Sequence, residues 1–130
     1  MIFTEEEVIF YDTDSGGVIS NIAYLRYVEK ARCRLFGSLG MELTSMTESG
    51  VYPTVVRTEI DYKQGGRLGD RLKVEAEIDS IEKLRIVCKF RITREVDQTI
   101  LSEAVQTIVL LKLPEGKPVR PPNEWNKSIQ

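Results

Sequence analysis

The chain has 130 residues, of which 42% are hydrophobic and 29% charged, and its formal net charge is −2. This length is enough to bury a core, so we expect a single domain over residues 1–130. The small net charge excludes a general attraction to nucleic acid, so any anion site must be local. The sequence contains no histidine, which excludes every mechanism that uses an imidazole base.

The composition also indicates where the protein works. The first seven residues are acidic where a signal peptide would be basic, and no apolar run reaches the ~20 residues of a membrane span. Cys33 and Cys88 have no CxxC spacing and no histidine to complete a zinc site. We therefore expect two buried, reduced thiols in a cytoplasmic protein that has neither a metal site nor a membrane span.

In chain order, the first element is a strand over residues 2–10, with Val8 and Phe10 predicted on one face. A glycine-rich turn then leads to a helix over residues 22–38, because Tyr24, Val28, Ala31 and Leu35 recur at helical spacing. Either Ser20 or Asn21 can cap its start. A further short helical turn is predicted at residues 43–49.

Alternating patterns then predict four strands, over residues 55–62, 71–79, 84–94 and 99–111. Short links favour antiparallel neighbours, so we predict an α+β fold in which a curved antiparallel sheet of about five strands wraps one long helix. One helix covers only one sheet face, so a second subunit is expected on the other. The residues predicted there are Val87, Leu101, Val105 and Val109. The last 10–15 residues, which are rich in proline, are predicted to be an extended tail.

The segment Asp12–Val18 carries the chemistry. It places carboxylates on a glycine-rich turn that leads into the N-terminus of the long helix. Backbone N–H groups and the positive end of the helix dipole meet there. An acid beside such donors is suited to attack on a carbonyl group.

The residues from Phe10 to Ile19, with those from Tyr24 to Arg32, resemble the 4-hydroxybenzoyl-CoA thioesterase family, and look closest to its Tol–Pal-associated acyl-CoA thioesterases. The stretches 61–70 and 116–121 match the family as well. The resemblance implies a hotdog fold, acyl-CoA as substrate and no cofactor or metal. It also implies a homo-oligomer, a dimer or a tetramer, with the active site at the subunit boundary.

The resemblance also assigns roles to individual residues. Asp14 matches the catalytic acid, and the backbone donors that polarise the thioester carbonyl match Asn21 and Ile22. The residues expected around the acyl group are Gly17, Val18, Tyr24 and Glu29. Coenzyme A carries phosphates that suit cations, and the candidate phosphate ligands are Lys63, Arg67, Arg85, Lys89 and Arg91.

Several alternatives stay open at this level. Asp14 could act as a nucleophile or as a general base, or it could simply cap a turn, as we expect for Asp12. The segment Ser20–Ala23 departs from the family pattern, which leaves a non-catalytic acyl-CoA-binding or protein-interaction module as the rival function. Hotdog dehydratases and hydratases use a histidine, so the lack of one argues against that class.

Overall fold

A computed structural model describes residues 1–129 of the chain. Its helices are α1 (Asn21–Ser38) and α2 (Leu43–Ser49), with short 3₁₀-helices at Phe10–Asp12 and Asn123–Ser128. Its strands are β1 (Ile2–Glu7), β2 (Val51–Tyr62), β3 (Arg71–Glu82), β4 (Arg85–Arg94), β5 (Thr99–Lys112) and β6 (Lys117–Val119).

The strands form one antiparallel sheet in the order β1-β3-β4-β5-β2, and the short β6 pairs with the end of β5. The core cluster joins the apolar side of α1 to one face of this sheet. The predicted arrangement, a long helix on an antiparallel sheet of about five strands, is therefore confirmed.

Helix α1 forms where its sequence pattern predicts it. Ser20 is the N-cap, and its Oγ accepts a hydrogen bond of 3.2 Å from the backbone N–H of Ala23. The four residues at helical spacing are all buried against the sheet: Tyr24, Val28, Ala31 and Leu35. The spacing of the apolar residues thus correctly predicted both the extent of the helix and the side that it buries.

Strands β3 and β4 follow their alternating pattern most closely. Leu72, Val74, Ala76 and Ile78 of β3 are all 0% exposed. Their counterparts on β4 are Ile86, Cys88, Phe90 and Ile92, which are also buried. Burial raises the pKa of the Cys88 thiol to about 12, with nearby Arg32 opposing the shift, so this cysteine stays protonated and unreactive at neutral pH.

Two predictions for the strands were wrong. β1 ends at Glu7, and the chain turns into a 3₁₀-helix, so Val8 is buried but Phe10 is 81% exposed. Leu101 was expected on the outer sheet face with Val105, yet it is 0% exposed and belongs to the core. A register shift between β4 and β5 next to this residue is the reason, because a bulge turns side chains to the other face.

The chain end and one cysteine also differ from expectation. The last 10–15 residues are not an extended tail, since they contain β6 and the 3₁₀-helix that buries Trp125. Trp125 packs edge-on against Phe36 of α1, with ring centroids 5.7 Å apart. Both cysteines are free, as predicted, but Cys33 is exposed rather than buried, because it lies on the side of α1 that faces away from the sheet.

Candidate active site

The glycine-rich segment between β1 and α1 is a tight loop with Asp14 near its tip. The backbone N–H of Asp14 donates to Val18 O at 2.8 Å, and Thr13 bridges Ile19 in antiparallel fashion. Gly17 has φ of 78°, a conformation that glycine adopts without strain. These contacts close the loop on itself and fix its path into α1.

The Asp14 side chain uses one oxygen for the loop and leaves the other available. Its Oδ1 accepts hydrogen bonds from the backbone N–H groups of Gly16 (2.8 Å) and Val18 (3.4 Å). The residue as a whole is exposed. Asp14 therefore does cap the turn, the alternative role left open by the sequence, and this leaves its Oδ2 atom available to solvent or substrate.

The start of α1 offers two backbone donors beside this loop. Ala23 N–H is satisfied by Ser20, whereas the N–H groups of Asn21 and Ile22 have no acceptor within residues 1–129. Both residues are exposed, Ile22 at 79%. Unpaired amides at a helix N-terminus stabilise negative charge, so these two can serve a developing oxyanion.

The Asp12 side chain has a different environment from that of Asp14, and the local sequence did not indicate this difference. It is 1% exposed, and its carboxylate accepts hydrogen bonds of 2.9 Å from both the Tyr27 hydroxyl and the Arg26 guanidinium. Burial by itself would raise the Asp12 pKa, but these hydrogen bonds outweigh it and hold the pKa below its usual value. Asp12 is therefore an ionised group in the protein interior, paired to α1.

The glycine turn after β2 packs against the outgoing arm of the loop. Ile19 N–H donates to Gly66 O at 2.9 Å, and Val18 forms a bridge with Arg67. A Cβ atom on Gly66 would lie 2.4 Å from Cδ1 of Ile19, so a larger residue here would force the Ile19 side chain to move. The structure thus brings the Gly65-Gly66 turn to the Asp14 loop, a contact that the sequence did not predict.

The four residues expected around the acyl group fall into three environments. Gly17 and Val18 share the loop with Asp14, while Glu29 lies on the exposed side of α1. Tyr24 is only 3% exposed, and its hydroxyl donates to Gln64 O at 3.3 Å. Burial raises the Tyr24 pKa, so this phenol stays neutral. Its hydrogen bond to Gln64 O holds the start of the glycine turn.

The five candidate phosphate ligands divide into two groups. Lys63 and Arg91 both pair with Glu103, at 3.4 and 3.1 Å, and Lys89 pairs with Asp79 at 3.3 Å. Arg67 and Arg85 form no ion pair within the described residues. Since Arg67 adjoins Val18, it is the candidate cation that the structure brings next to the Asp14 loop.

Two cavities in this chain lie away from the Asp14 loop. One of about 510 Å³ lies between the C-terminal half of α1, α2 and the start of β2, and its apolar lining includes Phe36, Met46 and Tyr52. A rise of 1.5 Å per residue puts Phe36 about 22 Å along α1 from Asn21. The other, of about 390 Å³, lies on the outer sheet face among charged residues such as Glu77 and Arg91.

Over residues 1–129, no group of three or more histidine, cysteine, aspartate and glutamate side chains is placed to hold a metal ion. Within the same residues, no helix is both long and apolar enough to cross a membrane.

Comparison with known proteins decides the family. A family model described as the thioesterase-like superfamily matches residues 8–129. The chain belongs to this superfamily. The match includes the Asp14 loop, α1 and the strands β2 to β6. The family expected from the motif at residues 10–19 is therefore confirmed.

Several individual proteins are similar to this chain over most of their length. An acyl-CoA thioesterase, YbgC, of Haemophilus influenzae is 32% identical, with 90% of this chain and 85% of the relative covered. A 1,4-dihydroxy-2-naphthoyl-CoA hydrolase of Synechocystis is 27% identical, over 96% and 91%. The crystal structure of a Synechocystis 1,4-dihydroxy-2-naphthoyl-CoA thioesterase superposes with a TM-score of 0.85, at 26% identity over 98% and 94%. The hotdog fold is thereby confirmed.

Proposed function

We propose that this protein is an acyl-CoA thioesterase that hydrolyses a thioester to a free acid and coenzyme A without a metal or cofactor. The observation that carries the proposal is the Asp14 carboxylate, exposed on a loop that leads directly into the two unpaired amides of α1. Membership of the thioesterase-like superfamily and the names of the relatives support the same reaction.

The chemistry follows from these groups. The N–H groups of Asn21 and Ile22 would bind the thioester oxygen and stabilise its negative charge as the carbonyl carbon is attacked. Asp14 would take a proton from the attacking water, or would itself attack and form a mixed anhydride that water then cleaves. In either route the carbon–sulfur bond breaks, the electron pair leaves with sulfur, and the thiolate of coenzyme A is protonated.

The proposed enzyme is a cytoplasmic homo-oligomer, a dimer or a tetramer, with its active site at a subunit boundary. β2 is an edge strand in the protomer, since its one partner strand is β5. It exposes Val56 and Tyr62 at 51% and 46%. An open edge with apolar side chains is suited to pairing with a second copy. Two free cysteines suit a reducing compartment.

A panel of aromatic and aliphatic acyl-CoA thioesters, assayed with a thiol reagent, tests the proposed activity. We expect turnover of at least one thioester, unchanged after extensive treatment with EDTA. Binding of acyl-CoA without release of thiol would instead support the non-catalytic binding module. Activity that EDTA abolishes and zinc restores would contradict the metal-independent mechanism.

We predict that charge removal near the loop weakens binding of the coenzyme A tail. The double change Lys63→Gln and Arg67→Gln should raise KM for acyl-CoA more than it lowers kcat. The reason is that the cations bind the coenzyme A phosphates equally well in the ground state and in the transition state. The effect should shrink at high salt and disappear with a short thioester that lacks the nucleotide.

The matched control changes the three candidate cations of β4, Arg85, Lys89 and Arg91, to glutamine. These three residues belong to β4, whereas Arg67 forms a bridge with Val18 of the Asp14 loop, so we expect their loss to affect KM less. Equal losses on the full and truncated substrates would show that the first pair serves folding or assembly instead.

A further inference from the structure

We propose that Asp12, Arg26 and Tyr27 form a positioning cluster that holds the Asp14 loop in register with the N-terminus of α1. The inference rests on the proposed thioesterase reaction, because positioning matters only if Asp14 acts on a substrate bound at the helix amides. None of the three side chains is expected to touch substrate. Their effect passes through the backbone of residues 13–19.

The cluster ties one end of the loop to the helix that the loop enters. Asp12 Oδ1 accepts from Arg26 at 2.9 Å, and Oδ2 accepts from the Tyr27 hydroxyl at 2.9 Å. Arg26 and Tyr27 belong to the second turn of α1. The carboxylate therefore spans the gap between the chain before the loop and the helix after it.

Asp12 also joins the two arms of the loop through its backbone. Its carbonyl oxygen accepts from Ser20 N–H at 2.8 Å, and Ser20 is the cap of α1. Asp14 follows two residues later, beyond the Thr13–Ile19 bridge. A shift of Asp12 would thus move Asp14 relative to the amides of Asn21 and Ile22.

A turn cap alone does not account for these contacts. As a cap, Asp12 needs only the backbone N–H of Ile9, which lies 3.3 Å from Oδ2. The two contacts from α1 are additional and shorter. Arg26 also stacks 4.9 Å from the centre of the Tyr27 ring and lies 3.8 Å from Glu6, so its guanidinium is oriented from three sides.

Removing one donor at a time leaves the rest of the cluster in place. In Tyr27→Phe the ring and its packing remain while the hydroxyl is lost. Arg26→Gln removes the positive charge, whereas the separate variant Arg26→Lys keeps it. Small misplacements of a reacting group lower the rate of the chemical step, so we expect Tyr27→Phe and Arg26→Gln to lower kcat by about 10-fold. KM should change little, and Arg26→Lys should recover part of the loss.

The matched control is Arg34→Gln, on an exposed part of the same helix, which should leave kcat unchanged. Hydrogen exchange supplies a second readout that needs no substrate. We expect faster exchange across residues 13–19 in Tyr27→Phe and Arg26→Gln, with the strands of the core unaffected.

Each outcome decides the question. A lower Tm with wild-type kcat and unchanged exchange in the loop would overturn the proposal and leave a cluster that only stabilises the fold. Lower kcat together with faster loop exchange would support it, and either effect without the other would also overturn it. If the wild-type protein cleaves no thioester, the proposed function fails, and unchanged loop exchange in both variants would then overturn the positioning geometry separately.

Discussion

Replacing Asp14 with asparagine is expected to lower kcat for thioester hydrolysis by about 10²-fold or more, the scale of acid–base catalysis by one side chain. The amide oxygen can still accept from Gly16 N–H, where the carboxylate accepts at 2.8 Å. The loop should therefore keep its shape while the group that removes a proton or attacks the carbonyl is lost. Steady-state kinetics on the best thioester of the panel, with circular dichroism to verify folding, measures the effect.

Two comparisons make the Asp14→Asn result specific. Ser15→Ala changes the next residue of the same exposed turn and should leave kcat near the wild-type value. Asp12→Asn should cost less activity than Asp14→Asn, since Asp12 acts through the loop. A folded Asp14→Asn variant with wild-type kcat would show that Asp14 is only a turn residue.

The fold was predictable where local periodicity and burial coincide. α1 and the strands β3 and β4 each bury one side of a regular pattern, so the spacing of apolar residues reveals both the element and its inner face. The turn at Asp14 was also readable, because a carboxylate followed by two glycines before a helix cap is a local signal.

The incorrect predictions come from non-local effects. The bulge at Leu101 depends on the register of two strands paired across the sheet, which alternation within one strand cannot show. The contact of Gly66 with Ile19 joins segments more than forty residues apart. The turn role expected for Asp12 is present, since its carboxylate accepts from Ile9 N–H at 3.3 Å, but its further donors, Arg26 and Tyr27, meet it only after the loop closes.

The burial of Trp125 shows the same limit at the C-terminus. Four prolines after residue 113 suggested an extended tail, and no helical or strand period marks the 3₁₀-helix. The ordering instead comes from tertiary contacts. Trp125 packs on Phe36 of α1, and Ile129 bridges Ile78 of β3.

Replacing Trp125 with alanine is therefore expected to reduce the free energy of unfolding by about 3–5 kcal/mol, the usual range for removal of a buried aromatic side chain. The indole is 3% exposed, so its loss leaves a cavity against Phe36 in addition to the lost transfer free energy. Urea unfolding followed by circular dichroism measures the change and does not depend on tryptophan fluorescence.

Lys127→Ala is the matched control, because Lys127 lies in the same 3₁₀-helix but is exposed. Its effect should stay within about 0.5 kcal/mol, as for most surface substitutions. A Trp125→Ala loss no greater than that of the control would mean that residues 123–128 lie on the core without stabilising it. A loss in the expected range would make this segment part of the cooperative fold, because a dispensable tail cannot carry so large a share of a stability of only 5–15 kcal/mol or so.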